Sequence, residues 1–161
     1  MLTTAHGQSK DAGRQRNAVR LARLLSAIVL AWNVQCALAF IIAPDAYAPG
    51  FELAGAPGSA AVRGMGVLFL MWNVPYVVAV SHPLRRHVSL YEALAMQTIG
   101  LLGESFIYLA LPAVHAVTRG SIARFIAFDG AGVVLLALAV VLVRRVLTQG
   151  RKERQDIVSA N

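Results

Sequence analysis

Apolar residues in this chain run continuously rather than alternating. Four stretches stand out, at 24–43, 64–80, about 90–111 and 122–143. Each is close to the roughly 20 residues that a helix needs to cross about 30 Å of hydrocarbon. Barrel strands would alternate apolar and polar positions, so these runs predict helices. Their ends are punctuated: Pro44 follows the first, Ser81-His82-Pro83 the second, Pro112 the third and Arg144-Arg145 the fourth. The pattern predicts an all-α fold, an integral membrane four-helix bundle forming a single domain over 1–161, with an outer loop at 44–62 and basic tails at 1–23 and 144–161.

Local signals add detail. Ser89-Leu90-Tyr91-Glu92 reads as a capping box opening the third span. Pro75 lies inside the second span, where its missing N–H predicts a kink. The outer loop, with Pro44, Pro49 and Pro57, predicts an irregular or partly helical lid, with Phe51 and Leu53 resting on the membrane interface. Residues 14–23 read as a basic extension of the first helix, and 151–161 as a mobile polar end.

Composition narrows the class. Hydrophobic residues make up 57% of the 161 residues and charged ones 14%, against about 25% charged in a soluble domain. A soluble enzyme, a disordered chain, a disulfide scaffold and a nucleic-acid module are all excluded. The formal net charge is +7, and of the 15 Lys and Arg residues five precede residue 24 and five follow residue 143. Basic residues flanking apolar runs make anionic lipid headgroups the expected partner, with no role for nucleic acid. Arg85 and Arg86 lie between the second and third spans, while the outer loop holds Asp45 and Glu52 and no base before Arg63. The bias places both termini in the cytoplasm of a multi-pass protein of the cell membrane. A cleaved leader ending at Ala37-Leu38-Ala39 is disfavoured, because Phe40-Ile41-Ile42 continues the apolar run and the segment before it is long.

Chemistry-bearing residues are few. Cys36 is the lone cysteine, and His6, His82, His87 and His115 show no metal-ligand spacing. His82 and His87, beside Arg85 and Arg86, read as headgroup contacts. No metal or cofactor is expected. The informative residues are polar ones inside the spans, where burial is costly: Asn33, Gln35, Asn73, Gln97, Glu104 and Asp129. In an antiparallel hairpin, residues equidistant from the turn share a level. Glu104 and Asp129 are centred between 116 and 117, and Asn33 and Asn73 on 53, so all four fall about 15 Å below the outer ends of their spans. Gln97, Glu104 and Tyr108 share one face of the third helix, with Ile99, Leu102, Phe106 and Leu109 on the lipid side. Asn73 and Tyr76 share a face of the second. Gly100, Gly103, Gly130 and Gly132 permit close helix approach near the carboxyls. The candidate ligand-binding set is therefore Asn33, Asn73, Tyr76, Gln97, Glu104, Tyr108 and Asp129. Arg124, five residues before Asp129, falls on another face and is expected to snorkel outward. Two neighbouring carboxyls in a low dielectric do not both ionise, so at least one is expected to be neutral. Two readings of the layer stand: hydrogen-bonded glue between helices, or a ligand or proton site.

An internal echo accompanies the layer. Ala31-Trp32-Asn33-Val34 resembles Met71-Trp72-Asn73-Val74, and the shared Trp-Asn-Val triplets contain both tryptophans of the chain. The echo hints at a local pseudo-two-fold pairing; for the tryptophans themselves ordinary packing is expected.

The pattern Pro44…Phe51-Glu52-Leu53…Arg63-Gly64-Met65-Gly66-Val67-Leu68-Phe69-Leu70 resembles the DoxX-like group of small bacterial membrane proteins over about the first half of the chain. That resemblance implies a four-helix membrane bundle and, for some members, a tie to quinone-linked oxidoreductases; it carries over no catalytic motif. The architecture is also similar to four-helix sterol-isomerase and emopamil-binding proteins, but Asn33 and Asn73 stand where acids would be needed. The expected function is binding of a small lipophilic ligand in the bundle, or service as a membrane partner subunit. The alternatives are a membrane enzyme or enzyme subunit using Glu104 and Asp129 for proton transfer on a quinone- or sterol-like substrate, and an oligomeric proton-coupled transporter.

Overall fold

The computed structural model describes residues 3–159. The apolar runs form α1 (Thr3–Ile42), α2 (Pro44–Tyr47), a 3-10 turn (Ala48–Phe51), α3 (Gly55–Trp72), α4 (Val74–Ser81), α5 (His87–Ala110) and α6 (Ala116–Ser159). With α3 and α4 taken as one span, four spans are long and apolar enough to cross a membrane. They pack as an antiparallel helical bundle, with no strand among the described residues. Ile99, Leu102, Phe106 and Leu109 of α5 stand outward and exposed, as a lipid-facing stripe requires. Arg23 donates to the Ser81 carbonyl at 3.0 Å, and His87 shares a surface groove with Leu147 and Arg151. The basic stretch of α1, the 82–86 connection and the C-terminal part of α6 therefore lie at one end of the bundle.

Several boundaries differ from the sequence pattern. Helix α1 includes the basic stretch, the expected extension of the first span, whereas α6 runs past Arg144-Arg145 to Ser159, so the polar end is helical over 151–159 and its last two residues lie outside the described ones; Arg, Lys, Glu and Gln are good helix formers, so charge alone does not stop the helix. The capping box does not form. Helix α5 begins at His87 with no side-chain cap, which puts Ser89 inside the helix. The outer loop is shorter than 44–62, because α3 already starts at Gly55, entered through left-handed Glu52 (φ 57°) and Gly55 (φ 62°). The turn between α5 and α6 is centred on 113 rather than near 116, because α6 starts at Ala116.

The predicted kink is a break at Asn73. Pro75 occupies the first turn of α4 and has no N–H to offer the preceding turn. The Asn73 N–H bonds to the Leu70 carbonyl at 3.1 Å, abandoning that of Phe69. The Asn73 side-chain amide takes over, donating to Phe69 O at 2.7 Å. This local repair uses the Nδ2 group and leaves the Oδ1 atom without a partner.

The break redirects the packing. Helix α4 packs on α1 and α5, whereas α3 leans on α1. Below the break lies an inner core of Ala22, Val29, Tyr76, Leu90, Ala93, Leu136, Ala139 and Val143. Above it a second core gathers Phe40, Ala48 and Val62, with Phe51, Leu53, Met65, Phe69 and Phe125 against them. Phe51 and Leu53 thus pack inward instead of resting on the interface; Phe51 stacks on Phe125 at 6.2 Å and meets the edge of Phe40 at 5.9 Å. Gly66 lets α3 approach α1 so closely that an added Cβ would lie 2.8 Å from the Ala37 carbonyl oxygen.

Candidate functional site

Between the two cores a cavity of about 530 Å³ opens. Its floor is a hydrogen-bonded knot centred on Gln97, which is 5% exposed. Asn33 Nδ2 donates to Gln97 Oε1 at 3.2 Å, and Tyr76 OH donates to the same oxygen at 2.6 Å. Accepting twice fixes which end of the amide is which. Gln97 Nε2 is thereby directed at Asp129 Oδ1, 2.8 Å away. Four spans meet at this side chain: α1, α4, α5 and α6. Gly132 leaves it room, since a Cβ there would sit 2.8 Å from Gln97 Nε2.

Gln97 and Asp129 are equidistant from residue 113, the centre of the observed turn. The sequence pairing of Glu104 with Asp129 is therefore offset. Asp129 lies level with 97–100, and its Oδ2 would be 2.5 Å from a Cβ on Gly100. Glu104 lines the cavity one turn farther out on α5, with Oε2 buried and unpartnered.

Asn33, Asn73, Tyr76, Gln97, Glu104 and Asp129 all line this cavity, while Tyr108 does not. The Tyr108 ring lies 4.2 Å beneath the guanidinium of Arg119. That guanidinium donates to the Tyr108 and Leu111 carbonyls at 2.9 and 2.6 Å, closing the C-terminus of α5. Arg124 turns outward and is exposed, as expected, but it does not leave the site. It lines the cavity mouth and donates to Ser121 Oγ at 3.0 Å. The walls were not legible as such: Trp32, Trp72, Phe69, Phe125 and Phe128 line the cavity, with Cys36 and Gln35 between them. The two echo triplets face this one space, so the tryptophans are walls as well as packing. The echo is confined to side chains, because α1 continues unbroken past Asn33 whereas the second span breaks at Asn73.

The lid over the cavity is α2 and the 3-10 turn, which contribute Ala46, Tyr47, Gly50 and Phe51 to its lining. Ser121 Oγ ties it down by donating to the Gly50 carbonyl at 2.6 Å. Glu52 ties it at the rim, with Oε2 2.5 Å from His115 Nδ1 and Oε1 accepting from the Thr118 N–H at 3.5 Å. Ser59 also hydrogen-bonds Asp45 across the lid's base. The His115 hydrogen bond, aided by Thr118, holds the Glu52 carboxyl below the usual carboxylate range. A carboxyl lowered by its folded partners contributes stability above its unfolded pKa and loses it as pH falls through the folded value. Acidification is therefore expected to loosen the lid only below the ordinary Glu range, whereas Glu52→Gln is expected to loosen it already at neutral pH. Limited proteolysis within 44–54 across a pH series checks both outcomes.

No protein family, curated protein or solved structure matches this chain.

Proposed function

We propose that this chain is a protein of the cell membrane, with both termini cytoplasmic, that binds a small lipophilic ligand between its spans. The observation that carries the reading is the cavity itself. Its volume of about 530 Å³ lies within the roughly 300–1,000 Å³ typical of small-molecule sites. Aromatic walls over a floor with unpartnered Asn73 Oδ1, Glu104 Oε2 and Trp72 Nε1 suit a ligand with an apolar body and a polar head. Helix glue alone accounts for the Gln97 knot but not for the space above it. The DoxX-like resemblance and a place beside a membrane partner belong to the same proposal. Proton transfer by Glu104 and Asp129 is the second reading, favoured by the approach of Asp129 to α5 at Gly100, one turn from Glu104.

The chain supplies its own reporter, since both of its tryptophans line the cavity. With the protein in phosphatidylcholine nanodiscs, 12-bromododecanol is expected to quench most of the tryptophan fluorescence saturably. Cys36→Phe, which fills the cavity from a position on α1 that makes none of the Gln97 hydrogen bonds, is expected to abolish the saturable part. Quenching that rises linearly with probe content, and equally in both proteins, would refute ligand binding.

A further inference from the structure

The hydrogen-bonding polarity of the cavity floor selects among lipophilic ligands. Each neutral donor atom of the knot already has one acceptor within the protein: Asn33 Nδ2 and Tyr76 OH have Gln97 Oε1, Gln97 Nε2 has Asp129, and Asn73 Nδ2 has the Phe69 carbonyl. The buried atoms left without an internal partner on the residues that line the space are mostly acceptors. Asn73 is only 4% exposed and its Oδ1 has no partner. Glu104 Oε2 is likewise buried and unpartnered. Asp129 gives one oxygen to Gln97 and holds the other toward Gly100. Against these stand one unpartnered buried donor, Trp72 Nε1, and the proton expected on one of the two carboxyls, which an arriving amine takes up as it becomes the ammonium. The nearest fixed cation, Arg124, is bonded to Ser121 at the mouth.

An acceptor-only head group finds at most Trp72 Nε1 to pair with and leaves the buried acceptors as they were, and a buried polar group without a partner is costly. A head that brings several donors and a positive charge satisfies the floor. It also suits the walls, because a cation over an aromatic face is attracted by the ring quadrupole. The route in is equally readable. Trp32 and Gln35 on α1, and Arg124 and Phe128 on α6, line the cavity and are exposed. The Trp32 and Phe128 rings meet edge-on at 6.2 Å at the inner limit of this gap. Helices α1 and α6 pack through Val29, Leu136 and Ala139 below it and through Phe40 and Phe125, 6.0 Å apart, above it, so the gap is a window bounded at both ends.

We propose that the cavity takes a lipophilic amine, bound as its ammonium, which enters from the bilayer between α1 and α6 and places its nitrogen among Asn73 Oδ1, Glu104 and Asp129. This rests on the ligand-binding reading and names the ligand class for the same site.

Cys36, the chain's one cysteine, lines the cavity and reports occupancy. With the full chain in phosphatidylcholine nanodiscs, the rate of Cys36 modification by methyl methanethiosulfonate is measured against dodecylamine and against 2-dodecanone, a chain of the same length with an acceptor-only head. Dodecylamine is expected to protect Cys36 saturably and 2-dodecanone is not. Glu104→Gln with Asp129→Asn is expected to weaken the protection by at least about tenfold, the order expected for loss of a charge-assisted hydrogen bond. Should that double variant not fold, Glu104→Gln alone serves, because Glu104 Oε2 has no internal bond to lose, and it is expected to weaken protection in the same direction. Equal protection by 2-dodecanone, or protection indifferent to these substitutions, overturns the amine assignment while the lipophilic-ligand reading stands. Failure of both probes to protect, together with unsaturable quenching by 12-bromododecanol, overturns both.

Discussion

Gly66→Leu is expected to be the most damaging single substitution in the bundle. A Cβ at residue 66 would stand 2.8 Å from the Ala37 carbonyl oxygen and 2.9 Å from both Phe40 Cβ and Ile41 Cγ1. The nearest of these is backbone of a neighbouring helix and cannot rotate away, so α3 must move off α1. Overpacking of this kind costs typically 1–3 kcal/mol and occasionally more. Here the upper part of that range applies, about 3 kcal/mol, because α1 is the main support of α3. Gly64→Leu is the matched control, since nothing lies within 4 Å of a Cβ there, and it is expected to change little. Thermal or denaturant unfolding of both variants in one detergent is the measurement. Equal stability of the two would show that the α1–α3 approach is not tight.

Gln97→Leu is expected to be the next most damaging. The substitution keeps apolar bulk beside Gly132 but leaves Asn33 Nδ2, Tyr76 OH and Asp129 Oδ1 without their partner. Single interhelical side-chain bonds in membrane bundles average only about 0.6 kcal/mol. Three bonds lost together at a buried centre sum to about 2 kcal/mol, before any penalty for groups that find no new partner. A double-mutant cycle with Tyr76→Phe separates the two contributions. A coupling energy near the single-bond value is expected, and a coupling of zero would mean that the Tyr76–Gln97 bond adds nothing. Because the knot forms the cavity floor, Gln97→Leu is also expected to weaken dodecylamine binding through misplacement of Asp129.

The spans and most of the polar layer were legible because each of their residues is expensive to place wrongly. An unbroken apolar run has few alternatives to crossing the bilayer, and an Asn, Gln or Asp within it has few alternatives to facing its neighbours. The level of each residue was less legible, because it depends on where the turn begins. Helix α6 starts at Ala116, and those few residues pair Asp129 with Gln97 and leave Glu104 one turn farther out. Tyr108 shares a helical face with Gln97 and Glu104, yet sits near the outer end of α5, where Arg119 claims both its ring and its carbonyl. Arg124 turns outward as expected but was read as clear of the site for another reason. Five residues turn the helix by about 140° relative to Asp129, which separates faces on a packed rod but not around a wide cavity. The aromatic walls carry no sequence signature, since Phe and Trp in an apolar run look the same whether they meet lipid, core or empty space.

The divided second span has a mechanical consequence. Helix α4 is clamped between α1 and α5, while α3 has one main support and a proline-bearing joint at its base. A rod jointed in this way swings at its joint before it slides, so the outer half can tilt without disturbing the packed inner half. The hinge and the cavity share a residue, because Asn73, whose amide mends the joint, also lines the cavity and keeps its Oδ1 oxygen without a partner. Whatever fills the cavity and draws on that oxygen also stiffens the joint, so occupancy and tilt of α3 are a single variable rather than two.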